Sequence, residues 1–272
     1  MSKANYTKEE LLTMKPNEYR RIAREGGWLD TDFTNYVCRG YVQANLAIVP
    51  KEFAFDFFLF CYFNPRPFPV IDITEAGNPH PERVAPEADL RTDLVKYRVF
   101  RDGELIDEPN DILKYWRNDL VAFLIGCGTY LDWALQAENI RSRVIGDYTS
   151  NIQLVPAGPF HGPMIVSGRI IKAGYGVTRA VQISSRHPAL HGAPIHYGNP
   201  EAIGIKDVMD PDYSRVENWP IDPPQHDEMV VFWGCGASVA SVAMASKIPL
   251  MISHFSGPMF ITDRTPQELA VL

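Results

Sequence analysis

Two short turns of the sequence each carry a cysteine between two glycines, Gly126-Cys127-Gly128 and Gly234-Cys235-Gly236. Each turn follows a strand-like apolar run and precedes a helix-like run. A glycine-rich turn in that place lets the backbone approach a ligand, and the first N–H groups of the helix favour an anion. We therefore predict that the turns bind two carboxylates, or one carboxylate and a developing oxyanion. Close packing of strand against helix is the alternative use of these glycines.

The residues beside the turns extend the predicted binding site. Thr129 and Ser238 are each placed to cap the helix that follows, and Tyr130 begins the first of these helices. Cys127 and Cys235 lie near helix N-termini, where a thiol can be activated as a nucleophile. A nucleophilic cysteine would make the protein an amide hydrolase, whereas the alternative role of each cysteine is that of a small buried side chain.

Two residues near the turns are predicted to transfer protons. Asp132 falls in the first turn of the helix after the first Gly-Cys-Gly, where a carboxylate could act as acid or base. His254 ends a strand shortly before Gly257, which we count among the binding residues, and an imidazole transfers protons near neutral pH. The alternatives are a capping box from Thr129 to Asp132 and a buried, hydrogen-bonded histidine.

Polar residues elsewhere in the chain could also contact the substrate. Arg91 and Asp93 could clamp a carboxylate, since a guanidinium binds it through two hydrogen bonds, or could belong to a structural ion-pair cluster. Gln43 and Asn45 lie two residues apart on one face of a strand. Their amides would either satisfy backbone groups or contact the substrate.

Three histidines, His187, His191 and His196, are close enough in sequence to suggest metal ligands. Prolines and a glycine between them prevent a helix that would bring them onto one face, and no thiolate accompanies them. We therefore predict no metal and no cofactor, and we place His191 and His196 at the mouth of the substrate pocket.

The elements that position these residues alternate along the chain. We predict strands at 42–49, 70–74, 119–125, 164–171, 229–233, 250–254 and 259–262, and helices at 51–63, 130–137, 177–185 and 238–247. The helix at 51–63 is apolar nearly all round, which predicts deep burial. A hairpin is predicted around 101–104 and a proline-rich loop over 206–227. The pattern is typical of an α/β fold with a mostly parallel or mixed sheet and helical layers.

The two turns belong to segments of the chain that resemble each other in sequence and form an internal repeat. Residues 121–137 resemble 230–246, and FHGPMIVSGR at 160–169 resembles FSGPMFITDR at 255–264 in the same order. Duplication predicts one domain over 1–272 with two intertwined pseudo-repeats, whose cores span about 119–171 and 229–264. Chance likeness between common strand–glycine–helix turns is the alternative.

Composition limits the possible partners. The chain of 272 residues carries a net charge of -7, which disfavours a nucleic-acid backbone or an anionic membrane as partner. Its N-terminus lacks a secretion-signal apolar stretch, and its four cysteines form no Cys-x-x-Cys pair. We therefore predict a cytoplasmic protein that binds a small-molecule carboxylate, and homo-oligomerisation remains open.

Five segments carry a resemblance to a known family, and they lie at 41–61, 90–104, 119–127, 179–198 and 202–207. They resemble the DUF1445 family, also called the UPF0317 hydro-lyases, whose mitochondrial relatives are D-glutamate cyclases. The resemblance covers about residues 20–263. It implies an α/β fold and a cofactor-independent hydro-lyase or cyclase that removes water from a small amino or hydroxy acid.

The chain departs from the family pattern at its turns. Asp132 lies where the family usually has a glutamate, Pro258 replaces a histidine, and 151–156 lack the usual tyrosine, arginine and threonine. The resemblance therefore implies a divergent member with an altered substrate. An amide hydrolase and a non-catalytic carboxylate-binding relative are the two alternatives.

Overall fold

The computed structural model describes residues 6–27, 34–213 and 221–271. The α/β fold is confirmed, with eleven named strands in two sheets and six α-helices within the described ranges. Every pairing between these strands is antiparallel. The alternation of strands and helices therefore does not produce the parallel neighbours expected of a mostly parallel or mixed sheet.

The first sheet has seven strands. They are β1 (Gln43–Pro50), β2 (Val70–Ile73), β3 (Tyr97–Arg101), β4 (Glu104–Asp107), β5 (Leu120–Gly126), β10 (Met251–His254) and β11 (Phe260–Ile261). Their order is β2-β5-β1-β10-β3-β4, and β11 pairs with β1. The predicted hairpin is β3–β4. Both β1 and β5 are buried along their whole length, as expected for central strands rich in apolar residues.

The second sheet contains two strands that the sequence patterns did not predict. Its members are β6 (Ser142–Gln153), β7 (Pro163–Lys172), β8 (His196–Tyr197) and β9 (Glu228–Gly234), in the order β6-β7-β9-β8. The long unpredicted strand is β6, and the two-residue β8 was not predicted either. The sequence of β6, SRVIGDYTSNIQ, contains a glycine and few consecutive apolar residues, so tertiary pairing with β7 defines it.

The helices mostly match the prediction, but one burial expectation is wrong. They are α1 (Lys8–Thr13), α2 (Pro16–Arg24), α3 (Lys51–Phe63), α4 (Tyr130–Ala137), α5 (Tyr175–Ser185) and α6 (Ser238–Ser246). The α3 helix buries Phe57 and Phe60, yet Phe55 is 68% and Tyr62 70% exposed. A helix that packs on a sheet buries one face, and an apolar composition on the other face does not change that geometry.

The two Gly-Cys-Gly turns occupy matching places in different sheets. The first links β5 to α4, and the second links β9 to α6. The proposed duplication therefore pairs a unit of one sheet with a unit of the other, and the duplication itself stays a prediction. The proline-rich loop predicted over 206–227 lies partly outside the described residues, at 214–220. Within the described ranges, no helix has the length and apolar character needed to cross a membrane.

Candidate functional site

One pocket contains residues of both Gly-Cys-Gly turns. Its lining includes Cys127 and Gly128 from the first turn, Gly234 and Cys235 from the second, and the start of α4 from Thr129. The cavity volume is about 30 Å³, so the enclosed part of the pocket has room for a small ligand group. The two turns are 108 residues apart in sequence between their cysteines, so only the tertiary fold brings them to one cavity.

An ion pair forms part of the pocket wall. Asp132 on α4 accepts two hydrogen bonds from Arg169 on β7, from Nε to Oδ1 at 2.7 Å and from Nη2 to Oδ2 at 3.1 Å. The arginine is only 7% exposed, and its guanidinium carbon lies 5.3 Å from the ring centre of Trp233. A buried guanidinium held by two hydrogen bonds gives the pocket a fixed positive group.

The prediction missed Arg169, although the sequence contained a signal. Arg169 is the last residue of the repeated segment FHGPMIVSGR, and Arg264 ends the matching segment. The ion pair between Asp132 and Arg169 also takes the place of the predicted capping box between Thr129 and Asp132. Thr129 is the N-cap residue of α4, as predicted, but it has helical backbone angles and its side chain makes no capping hydrogen bond. The Asp132 carboxylate binds Arg169 on β7 and does not complete a capping box.

Ser238 also has a different role from the predicted cap. Its hydroxyl donates to the carbonyl of Cys235 at 2.8 Å and accepts from the N–H of Ile165 at 2.9 Å. The N–H of Cys235 donates to the carbonyl of Ile165 at 2.9 Å. These bonds attach the second turn to β7, so Ser238 fixes the turn and does not cap α6.

The two turns present their backbone differently. The N–H of Cys127 donates to the carbonyl of Gln43 at 2.9 Å, so it is used within the sheet. The N–H groups of Gly128 and Thr129 have no bonded acceptor in the described part of the chain, and both residues line the pocket. The first turn, at the positive end of α4, is therefore the one that offers N–H donors to an anion.

His191 lies in the pocket with a defined tautomer. Its Nδ1 is 2.6 Å from the carbonyl oxygen of Arg66. Because a carbonyl can only accept, Nδ1 carries the proton, and Nε2 is the basic nitrogen of the neutral ring. The residue is 4% exposed and has a left-handed backbone with φ of 73°. The ring edge that contains Cδ2 packs against Gly128, where an added Cβ would lie 3.4 Å from it.

Two of the turn glycines serve close packing instead of ligand contact. A Cβ on Gly126 would overlap with the backbone carbonyl of Ala189, and one on Gly236 would overlap with the side-chain amide of Asn45. Neither glycine belongs to the pocket lining. Gly128 and Gly234 do line the pocket, but Gly234 is also closely packed, because a Cβ there would lie 3.0 Å from the backbone of Arg66.

The amides predicted on β1 satisfy other protein groups. Gln43 Nε2 donates to the backbone carbonyl of Thr34 at 2.7 Å, and its Oε1 accepts from the Thr34 hydroxyl at 2.8 Å. Asn45 Nδ2 donates to the carbonyl of Ile125 at 3.3 Å. Both residues are buried outside the pocket lining, so the structure does not place them against a ligand there.

The predicted arginine–aspartate clamp is not formed. Arg91 binds Asp89 through Nη2 at 2.7 Å, whereas the buried Asp93 binds Arg24 at 2.7 Å. Burial raises the pKa of the Asp89 carboxyl, but the hydrogen bonds and the charge of Arg91 together outweigh burial and leave the pKa below its ordinary value. This cluster holds the segment before β3 against α2, as the structural alternative stated.

Three further predicted residues lie outside the pocket lining. His254 accepts at Nδ1 from the N–H of Leu46 at 3.2 Å, within the first sheet. His196 lies on the edge strand β8, with Nε2 at 2.6 Å from the carbonyl of Asn199. The carbonyl of Gly257 accepts from the N–H of Thr34 at 3.4 Å. Of the histidines proposed for the site, the fold brings His191 alone into this pocket.

Metal-ligating side chains are not grouped in the described ranges, where no three His, Cys, Asp or Glu residues could hold one ion.

Cys38 and Cys61 lie away from the pocket, and burial raises the pKa of the Cys38 thiol to about 12 and that of Cys61 further. These two thiols are therefore protonated at neutral pH and are poor nucleophiles.

The surroundings of His187 lead us to predict that the stability of the folded protein depends on pH. Its ring packs on Tyr130 with the ring centres 4.5 Å apart, and burial lowers its pKa in the folded protein. The unfolded chain therefore binds a proton first as the pH falls below about 6.5, so stability decreases there and levels off below the folded pKa. We expect the melting temperature of His187→Gln to fall less than that of the unmodified protein between pH 7.5 and 5.5. Equal falls would contradict this assignment.

Comparison with known proteins gives a consistent match. Residues 121–263 match the family model described as D-glutamate cyclase. The chain is 47% identical to a "Putative hydro-lyase" of Rhodopseudomonas palustris strain HaA2, over 95% of this chain and 94% of that relative. It is 45% identical to the "Putative hydro-lyase YcsI" of Bacillus subtilis strain 168, over 95% of this chain and all of that relative. A solved nitrogen repressor-like protein from Methanococcus jannaschii aligns at a TM-score of 0.40 and 9% identity, covering 83% of this chain and 88% of that one.

Proposed function

Because the chain belongs to the D-glutamate cyclase family, we propose that it is a cofactor-independent lyase that removes water from a small amino- or hydroxy-carboxylic acid. The reaction would be either elimination across a carbon–carbon bond or closure of an amine onto a carboxylate. The names of the relatives support hydro-lyase chemistry, and the departures at the turns favour a substrate different from D-glutamate.

The observation that carries the proposal is the composition of one pocket. The residues that line this pocket supply three kinds of group. They are the donor N–H groups at the start of α4, the guanidinium of Arg169 and the basic nitrogen of His191. Donors and a cation suit a carboxylate, and an imidazole suits proton transfer at neutral pH. The pocket therefore combines anion binding with acid–base chemistry.

Each route can be written as a balanced step. In elimination, a base takes the proton from carbon, the carbon–oxygen bond breaks, and the hydroxyl leaves with a proton as water. In cyclisation, nitrogen bonds to the carboxylate carbon, and one carboxylate oxygen leaves as water with two protons from nitrogen. His191 Nε2 is the proposed base in both, and the N–H groups of Gly128 and Thr129 would stabilise the oxygen that gains negative charge.

The test is direct product analysis without added cofactor. The purified protein is incubated with a panel of amino, hydroxy and unsaturated acids, and the products are followed by proton NMR and by mass spectrometry in ¹⁸O-labelled water. We expect loss or addition of water with one acid, and no turnover by His191→Gln with an unchanged melting temperature. Absence of turnover across the panel would count against the enzyme, and binding by thermal shift without turnover would support a carboxylate-binding relative.

A second candidate function follows from the two cysteines in the pocket. Cys127 and Cys235 both line it, so a cysteine-dependent amide hydrolase is the rival of the lyase. We expect Cys127→Ala, Cys235→Ala and the double variant to keep turnover within about tenfold, because proton transfer by His191 needs no thiol. Turnover is measured with the acid identified in the panel. A loss of more than about a thousandfold in one cysteine variant alone would favour the hydrolase.

A further inference from the structure

Within the described residues, two buried polar atoms of pocket-lining side chains have no hydrogen-bond partner. They are the hydroxyl of Tyr130 and the indole nitrogen Nε1 of Trp233. Tyr130 is 4% exposed and Trp233 3% exposed, and both residues line the pocket. Neither has any further contact within the described chain that would satisfy these atoms.

Two groups of the same kinds elsewhere in the described chain are hydrogen-bonded. The hydroxyl of the buried Tyr97 donates to the carbonyl of Leu90 at 2.8 Å, and Nε1 of Trp116 donates to the carbonyl of Gly77 at 3.2 Å. An unpaired buried donor costs the desolvation of that group, so native proteins contain few of them. These two donors belong to residues that line one pocket, so each is available to an acceptor that enters it.

The chemistry of these atoms defines that acceptor. An indole N–H can only donate, and burial raises the pKa of Tyr130, so its hydroxyl stays protonated at neutral pH. The guanidinium of Arg169 lies 5.3 Å from the centre of the Trp233 ring and brings positive charge there, part of which its ion pair with Asp132 offsets. Donors beside a cation favour an anionic oxygen group and disfavour an ammonium group.

We propose that Tyr130 and Trp233 bind a carboxylate of the substrate, with Arg169 supplying the opposing charge. This inference rests on the proposed function and deepens it. It separates the pocket into a carboxylate anchor at these side chains and a reacting end at the N–H groups of Gly128 and Thr129. The substrate class is then an acid that has a second oxygen function besides the anchored carboxylate.

The indole N–H signals of Trp233 and Trp116 provide a direct readout. The protein labelled with ¹⁵N is titrated with succinate, malate and aspartate, and with their carboxamide analogues, and the Trp233 signal is assigned through Trp233→Phe. We expect an acid to move the Trp233 signal downfield and to leave the already bonded Trp116 signal in place. A static Trp233 signal at saturating acid, or no binding of any of these acids, would overturn the anchor.

Matched tyrosine variants separate binding from folding. Tyr130→Phe should weaken acid binding by at least about tenfold and keep or raise the melting temperature, because it removes an unpaired buried hydroxyl. Tyr97→Phe should lower the melting temperature and leave acid binding unchanged, because it removes a formed bond. A lower melting temperature with unchanged acid binding in Tyr130→Phe would overturn the proposal. Turnover with an unmoved Trp233 signal would refute carboxylate binding by Tyr130 and Trp233 but not the lyase activity. A moved Trp233 signal without turnover of any acid would refute the lyase activity but not the carboxylate binding.

Discussion

Replacement of Arg169 by glutamine is expected to lower the free energy of unfolding by about 3 kcal/mol and to abolish carboxylate binding. The guanidinium is buried and makes two hydrogen bonds to Asp132, which is about a third exposed. Removal of one partner of such a pair leaves the other charge without compensation in a partly dry site. Urea unfolding gives the stability change, and the carboxylate titration monitored by NMR gives the binding change.

The control for Arg169 is an ion pair of similar geometry on the surface. Arg117 binds Asp119 through Nε at 2.8 Å, but both side chains are about half exposed. Arg117→Gln should therefore lower stability by less than about 1 kcal/mol and leave carboxylate binding intact. In a double-mutant cycle, Asp132→Asn should add little to Arg169→Gln. Equal effects of Arg117→Gln and Arg169→Gln would refute a special role for the buried pair.

Gly126→Ala is expected to lower the free energy of unfolding by roughly 3 kcal/mol. Its new Cβ would overlap with the backbone carbonyl of Ala189, which cannot move without shifting the chain before His191. The substitution should also weaken carboxylate binding, because the displaced segment carries His191 and borders the pocket. Urea unfolding and thermal-shift titration with acids measure the two effects.

Other turn glycines provide matched controls for Gly126. The nearest atom to a Cβ on Gly128 would be 3.4 Å away, so Gly128→Ala should fold with near-normal stability while it narrows the pocket. Gly236→Ala would overlap with the Asn45 side chain, and this destabilisation should be relieved in part by Asn45→Ala. If Gly126→Ala and Gly128→Ala are equally stable, the assignment of packing and pocket glycines is wrong.

The sequence patterns were most informative where structure depends on neighbours along the chain. The predicted α3 and α4 agree with the observed helices at both ends, and the turns lie where strand and helix patterns meet. The sequence predicted that both turns bind the ligand, and residues of both turns line one pocket. The missed β6 and the exposed aromatic face of α3 depend on which surface each element packs against, and local patterns do not encode that choice.

The sequence by itself determined the family, the α/β class and the two strand–turn–helix units, because propensity, glycine chemistry and long matching segments are local or directly readable properties. The tertiary structure alone decided which polar residues share the pocket. Arg169 reaches Asp132 across 37 residues, and His191 reaches the first turn from a separate loop. His254, Gln43 and the Arg91 cluster are held outside that pocket by contacts of their own. The partner of a side chain depends on the register and packing of distant segments, which local patterns do not give.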